Sequence, residues 1–150
     1  YYEIIREGTP CHLYFDVEFC RVANPTVDGV AAVKGLMELV RATMEERFQL
    51  SFSDENLAHM DSSTRVKFSR HVVIQIPGAA FASAIQCGGF VKTLCAWAEE
   101  RTYLDARCAA LFVRKAASSN RCPPSTVSYA ATPNSTHDIL CGDSPSALDQ

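Results

Sequence analysis

The stretch CHLYFDVEF, residues 11–19, predicts a buried β-strand because apolar and polar side chains alternate along it. Alternate residues of a strand share a face, so Asp16 and Glu18 point the same way, about 7 Å apart along the strand. Two unpaired carboxylates in that position repel each other and lose solvation, and divalent cations remove both penalties. The pair is therefore a candidate site for Mg²⁺ or Mn²⁺, hard cations that bridge carboxylates to phosphates. The other face predicts a core contact because all its members are apolar: Leu13, Phe15, Val17 and Phe19.

The stretch VKFSRHVVIQI, residues 66–76, predicts a second strand that ends before Pro77-Gly78. Lys67, Ser69 and His71 share one face of it and offer an ammonium, a hydroxyl and an imidazole. These are hydrogen-bond donors that suit a polyphosphate. If the two strands lie near each other on one sheet face, carboxylates and donors together form a nucleoside-triphosphate site for phosphoryl transfer.

Ordinary interpretations of both motifs stay open. Asp-x-Glu also occurs on solvated strand faces where a Lys or Arg neutralises it, and a single histidine is more often structural than catalytic. The spacing His137-x-x-x-Cys141, with Cys122 upstream, is the only one that resembles a zinc site. Without a paired cysteine motif we attribute that spacing to chance.

Length and composition indicate one globular domain of 150 residues, with 47% hydrophobic and 21% charged residues. The net charge of −3 is not that of a dedicated nucleic-acid binder. Arg65, Lys67, Arg70 and His71 nevertheless form a local basic cluster that can hold phosphate. No apolar run approaches the roughly 18 residues of a membrane span, so we expect no membrane association.

The cysteines and the chain start indicate an intracellular fragment. The seven cysteines include no C-x-x-C pair, and those in predicted strands or helices are expected to be reduced thiols that act as small hydrophobes: Cys11, Cys20, Cys87 and Cys95. The first residue is Tyr1, and the opening residues contain no signal-peptide core. We therefore expect an intracellular protein that lacks residues on its N-terminal side.

The order of elements predicts an α/β fold. Apolar residues recur every three or four positions from Val30 to Phe48, which predicts an amphipathic helix. The segment SDENLAHM predicts one or two helical turns capped by Ser53, and Phe90–Glu100 predicts a second helix. The resulting order is strand, helix, strand, helix. Residues 1–115 are predicted to form the fold, and the Ser-, Thr- and Pro-rich residues 116–150 to be a linker or foreign sequence.

Several linked motifs resemble the eukaryotic primase-polymerases of the archaeo-eukaryotic primase superfamily: CHLYFDVEF, ANP…DG, DSSTRVKFSRHVV and AF…GGFVKTL. The resemblance covers about Tyr2 to Leu94 and implies part of an α/β catalytic core with an RRM-like module. It implies that Asp16 and Glu18 hold two catalytic divalent metals, Mn²⁺ or Mg²⁺. It also implies four nucleotide ligands: Ser69, His71 and Lys67 at the triphosphate, and Tyr2 near the sugar.

The same resemblance implies a DNA-directed primase and polymerase that uses nucleoside triphosphates on a single-stranded DNA template. Repriming and DNA damage tolerance in nucleus and mitochondrion, with single-strand-binding proteins as partners, would be its roles. The family's third motif, a strand with another metal-binding aspartate, is not found, since Asp105, Asp138 and Asp143 lack the strand pattern. We therefore expect this chain alone to be inactive. The alternative is a non-catalytic remnant that binds nucleotide or nucleic acid.

Overall fold

The computed structural model describes residues 5–101, 105, 108, 109, 111 and 112, and the backbone of residues 126–128. The secondary structure is mixed α and β, with four strands and two α-helices among the described residues. In chain order the elements are β1 (Leu13–Cys20), α1 (Gly29–Phe48), a 3₁₀ turn (Asp54–Asn56), β2 (Leu57–Asp61), β3 (Lys67–Ile74), α2 (Ala84–Glu100) and β4 (Thr126–Ser128).

The four strands form one antiparallel sheet in the order β2-β3-β1-β4. The two strands predicted from sequence are therefore direct neighbours. Their register opposes Phe15 to Val72 and Phe19 to Phe68 on one face. The same register opposes the polar residues to one another on the other face.

Both helices pack on the apolar face of β1 and β3. A single core cluster joins apolar residues of the two strands to α1 through Val33, Leu36 and Val40. It joins them to α2 through Val91 and Leu94. The Asp28 carboxylate caps the start of α1 by accepting hydrogen bonds from two backbone N–H groups.

Two element predictions are wrong in part. Ser53 is the N-cap of a helical turn, as predicted, but the turn is a short 3₁₀ helix and Leu57–Asp61 is a strand. Asn56 explains this, because it exchanges backbone and side-chain hydrogen bonds with Gln75 and starts the pairing of β2 with β3. The second helix begins at Ala84, six residues before the predicted Phe90, because Ser83 caps it by accepting a hydrogen bond from Gln86 N–H.

The predicted strands and the long helix α1 are confirmed to within a few residues. The RRM-like module and the division at residue 115 stay predictions. Strand β4 belongs to the segment predicted as linker or foreign sequence, and it pairs with Asp16–Glu18. Asp138, Asp143 and the His137–Cys141 spacing lie outside the described residues.

The cysteines follow the expectation with one exception. Cys11, Cys87, Cys95 and Cys108 are not disulfide-bonded, and burial raises the pKa of the Cys87 thiol to about 12. Cys20 is disulfide-bonded, which corrects the expectation of a free thiol there.

None of the helices in the described part of the chain is both long enough and apolar enough to cross a membrane.

Candidate functional site

The register of β1 and β3 brings the predicted site residues together on the polar sheet face, the surface formed by Asp16, Glu18, Lys67, Ser69 and His71. Asp16 lies opposite His71, and Glu18 lies opposite Ser69. Directly opposed side chains in an antiparallel pair are close enough to interact. The carboxylates of one strand therefore meet the hydrogen-bond donors of the other.

Glu18 accepts two hydrogen bonds at the same oxygen. Lys67 Nζ lies 2.8 Å from Glu18 Oε1, and Ser69 Oγ lies 2.7 Å from it. Partial burial raises the pKa of Glu18, but the hydrogen bonds from Lys67 and Ser69 and the Lys67 charge outweigh it. The pKa of Glu18 is therefore below its ordinary value, and the side chain is ionised at neutral pH.

His71 is held by two contacts. Its Nδ1 contacts Asp16 Oδ1, and its ring stacks on Tyr14 at a centroid distance of 6.0 Å. The Asp16 and His71 side chains are 30% and 32% exposed, so a ligand can reach this pair from solvent. The Glu18 and Lys67 side chains are similarly exposed, at 29% and 27%.

The loop between β2 and β3 fixes the backbone of Ser69 and Lys67. Ser63 Oγ accepts a hydrogen bond from Ser69 N–H at 3.0 Å and donates one to the Ser69 carbonyl at 3.2 Å. Thr64 Oγ1 accepts from Lys67 N–H at 3.1 Å. Asp61 in turn accepts from Ser63 N–H. The DSST segment is therefore a preorganised turn that sets the start of β3.

Sequence reasoning identified the residues on this face but missed what supports them. The roles of Tyr14 and Ser63 were not predicted, although an aromatic residue on the polar face and a hydroxyl-rich turn were visible signals. Tyr2 lies outside the described residues. Arg70 points to the other face and pairs with Asp61 at 3.0 Å, so it does not join the polar sheet face.

The carboxylates fit a divalent cation as part of a larger ligand set. Within the described ranges no group of three or more His, Cys, Asp or Glu side chains is placed to hold an ion. Mg²⁺ typically takes one or two protein carboxylates and completes its coordination with water and substrate phosphates. Asp16 and Glu18 supply that number of carboxylates beside donors suited to phosphate. The Lys67 partner of Glu18 also satisfies the simpler interpretation of a neutralised strand face.

An antiparallel sheet with carboxylates opposed to phosphate-type donors, backed by two helices, defines a candidate cation and polyphosphate site. Over 93 residues, which are 62% of this chain and 17% of the relative, the chain is 42% identical to the DNA-directed primase/polymerase protein of Bos taurus. It is 41% identical, over the same shares, to the proteins of that name from Mus musculus and Homo sapiens. The resemblance to the eukaryotic primase-polymerases is thus confirmed for this part of the chain.

No family model matches the chain. The chain spans 17% of the length of the first curated relatives it matches.

Proposed function

We propose that this chain is part of the catalytic core of a DNA-directed primase-polymerase. The whole protein would transfer nucleotides from nucleoside triphosphates to a growing strand on a single-stranded DNA template. The observation that carries the proposal is the direct opposition of Asp16 and Glu18 to His71 and Ser69 across one strand pair. The proposal draws on the comparison as well, because proteins named DNA-directed primase/polymerase protein are 40–42% identical to this chain over 93 residues.

The proposed roles divide between the two strands. Asp16 and Glu18 would hold Mg²⁺ or Mn²⁺, and the chemistry that such an ion would supply is neutralisation of phosphate charge and activation of the attacking hydroxyl. Lys67, Ser69 and His71 would bind the triphosphate through charge-assisted hydrogen bonds. Repriming and damage tolerance in nucleus and mitochondrion, with single-strand-binding proteins, would be roles of the whole protein.

The contacts within the polar sheet face suggest how binding proceeds. Without ligand, Lys67 and Ser69 donate to Glu18, and His71 contacts Asp16. A cation and a triphosphate that bind together give the carboxylates and the donors new partners of opposite charge. A ligand that binds alone leaves one set without compensation, which costs free energy. We therefore expect triphosphate and cation to bind together more tightly than either binds alone.

A second function is a non-catalytic site for nucleotide or nucleic acid. The observation that favours it is that the described residues contribute only Asp16 and Glu18 to a cation site, with no third side chain grouped with them. A two-metal site usually clamps both the attacking and the leaving oxygen, and this demands ligands for two ions. A site with ligands for fewer than two ions could bind phosphate without catalysing nucleotide transfer.

Titration of dATP in the presence of Mg²⁺ tests the proposed site. His71→Ala should weaken binding roughly ten- to a hundredfold, because a hydrogen bond to a charged group contributes about 1.5–3 kcal/mol. Ser69→Ala and Lys67→Met should act in the same direction. A matched control is His59→Ala, since His59 is an exposed histidine of β2 that pairs with Val72 and not with a residue of the polar sheet face.

Equal affinity of the wild type and His71→Ala would refute the phosphate role of β3. Primer extension by the complete protein then separates the two functions. Loss of incorporation in Asp16→Asn, with template binding retained, supports the polymerase. Triphosphate binding without any incorporation by the wild type supports the non-catalytic site.

A further inference from the structure

Tyr14 lies on the same sheet face as His71 and supports its ring. The two ring centroids are 6.0 Å apart and the planes are inclined by 26°. This separation is within the range of favourable aromatic pairs. Tyr14 is 9% exposed and belongs to the main core cluster, whereas the His71 side chain is 32% exposed. Tyr14 is therefore the fixed member of the pair, and His71 is the member that a ligand can reach.

Asp16 restrains the same imidazole at a different point. Its Oδ1 contacts Nδ1, and the two nitrogens of an imidazole point to different sides of the ring. A contact at Nδ1 therefore leaves Nε2 directed away from Asp16. Among the described residues the one buried side-chain polar atom without a partner is His12 Nδ1. His71 Nε2 is therefore not one of the buried atoms that lack a partner. Because the His71 side chain is 32% exposed, a ligand can reach this nitrogen.

We propose that Tyr14 is a positioning residue for His71: its ring and the Asp16 carboxylate together hold the imidazole so that Nε2 faces a phosphate oxygen. The inference rests on the proposed function, because it takes phosphate as the ligand of His71. A side chain that is already ordered loses less conformational freedom when a ligand binds. Tyr14 thus raises affinity for phosphate without contacting it.

Three substitutions separate ring stacking from packing. Tyr14→Leu removes the ring and keeps a large apolar side chain. Tyr14→Phe keeps the ring and serves as the conservative rescue. Val73→Ala is the matched packing control, because Val73 is the cross-strand neighbour of Tyr14 on this face and is also buried.

Affinity is measured on the whole chain with dATP and Mg²⁺, and separately with sodium tripolyphosphate as a ligand that has no base or sugar. Tyr14→Leu should bind both ligands about 2- to 10-fold more weakly, the effect of leaving one side chain to be ordered on binding. Tyr14→Phe and Val73→Ala should bind as the wild type does. Thermal unfolding of each variant ensures that affinities are compared on folded protein.

NMR of the ligand-free chain gives a readout that a merely structural role would not move. The His71 ring protons should show a ring-current shift and cross-relaxation with the residue 14 ring in the wild type, Tyr14→Phe and Val73→Ala. In Tyr14→Leu the shift should vanish and the His71 side chain should sample several rotamers.

The outcomes are distinct. Wild-type affinity in Tyr14→Leu, or an unchanged order of His71 in that variant, overturns the positioning role. An equal loss of affinity in Val73→Ala overturns it as well, since the effect would then come from packing alone. If the wild type binds neither ligand, the proposed function fails, and the NMR comparison still decides whether Tyr14 orders His71.

Discussion

The two faces of the β1–β3 pair follow the same register, but they differ in the side chains that the register brings together. On the apolar face Phe15 opposes Val72 and Phe19 opposes Phe68, and all four are nearly inaccessible to solvent. On the polar sheet face the opposed side chains are hydrogen-bonded or ion-paired, and most are about 30% exposed. Buried apolar side chains contribute several kcal/mol each to folding, whereas exposed ion pairs contribute about 0–1 kcal/mol. The apolar face thus determines the fold, and the polar face can hold charges for binding at little cost in stability.

The largest expected effect tests this difference at adjacent residues of one strand. Phe68→Ala should lower the free energy of unfolding by about 3–5 kcal/mol, because it removes a buried ring that stacks on Phe19 at 4.9 Å. Ser69→Ala on the opposite face should cost less, about 1.5–3 kcal/mol, the range for one hydrogen bond to a charged group. Denaturant unfolding measures both. Similar losses in the two variants would contradict the division between the faces.

The next largest effect on stability is expected from a substitution in α1, at the glycine that contacts the apolar face. An added Cβ at Gly29 would lie 2.7 Å from Phe68 Cγ and closer still to two other atoms of that ring. Because Phe68 is buried against Phe19, its ring has little room to move. Gly29→Ala should therefore destabilise the protein by about 1–3 kcal/mol, although alanine is the better helix former.

Gly89→Ala in α2 is the matched control for that substitution. An added Cβ there meets no atom within 4 Å, and the residue is exposed. It should stabilise the protein by about 0.5–1 kcal/mol through helix propensity. If Gly29→Ala and Gly89→Ala both stabilise the protein in the same thermal or denaturant assay, the result contradicts the close contact between Gly29 of α1 and the Phe68 ring.

The sequence predicted the apolar face more completely than the supports of the polar face. Alternation in β1 and β3 sufficed to assign Phe15 to the core and Asp16 and His71 to the polar side, because each strand has only two faces. Neither strand alone reveals which residue opposes which. The Lys67–Glu18 pair and the Tyr14–His71 stack follow from the register, which the sequence does not contain.

The errors at β2 and α2 have a local physical cause. Leu57–Asp61 contains good helix formers and is largely exposed, so no apolar period marks it as a strand. It becomes extended because the edge of β3 offers hydrogen-bond partners, beginning at Gln75. The predicted start of α2 at Phe90 left out Gly88 and Gly89, since glycine is a poor helix former, yet Gly88 is buried within the helix.

The smallest expected effect concerns Asp61, the partner of Arg70, which is the charged residue that β3 carries on the apolar face. Its guanidinium lies 3.0 Å from Asp61 at the edge of the sheet. Hydrogen bonds from Ser63, followed by the charges of Arg70 and Arg21, hold the pKa of Asp61 below its ordinary value of 3.8. A carboxyl whose pKa is lowered by folding stabilises the protein above its ordinary pKa, and the contribution is lost as the pH falls through the folded-state pKa. Asp61→Asn should therefore lower the melting temperature slightly at pH 7, and wild type and variant should converge in acid.

Because Asp61 is exposed, added salt should shrink the difference in melting temperature at pH 7. Melting curves over this pH range test the prediction. A difference that persists unchanged in acid would show that Asp61 acts through its shape in the turn and not through its charge.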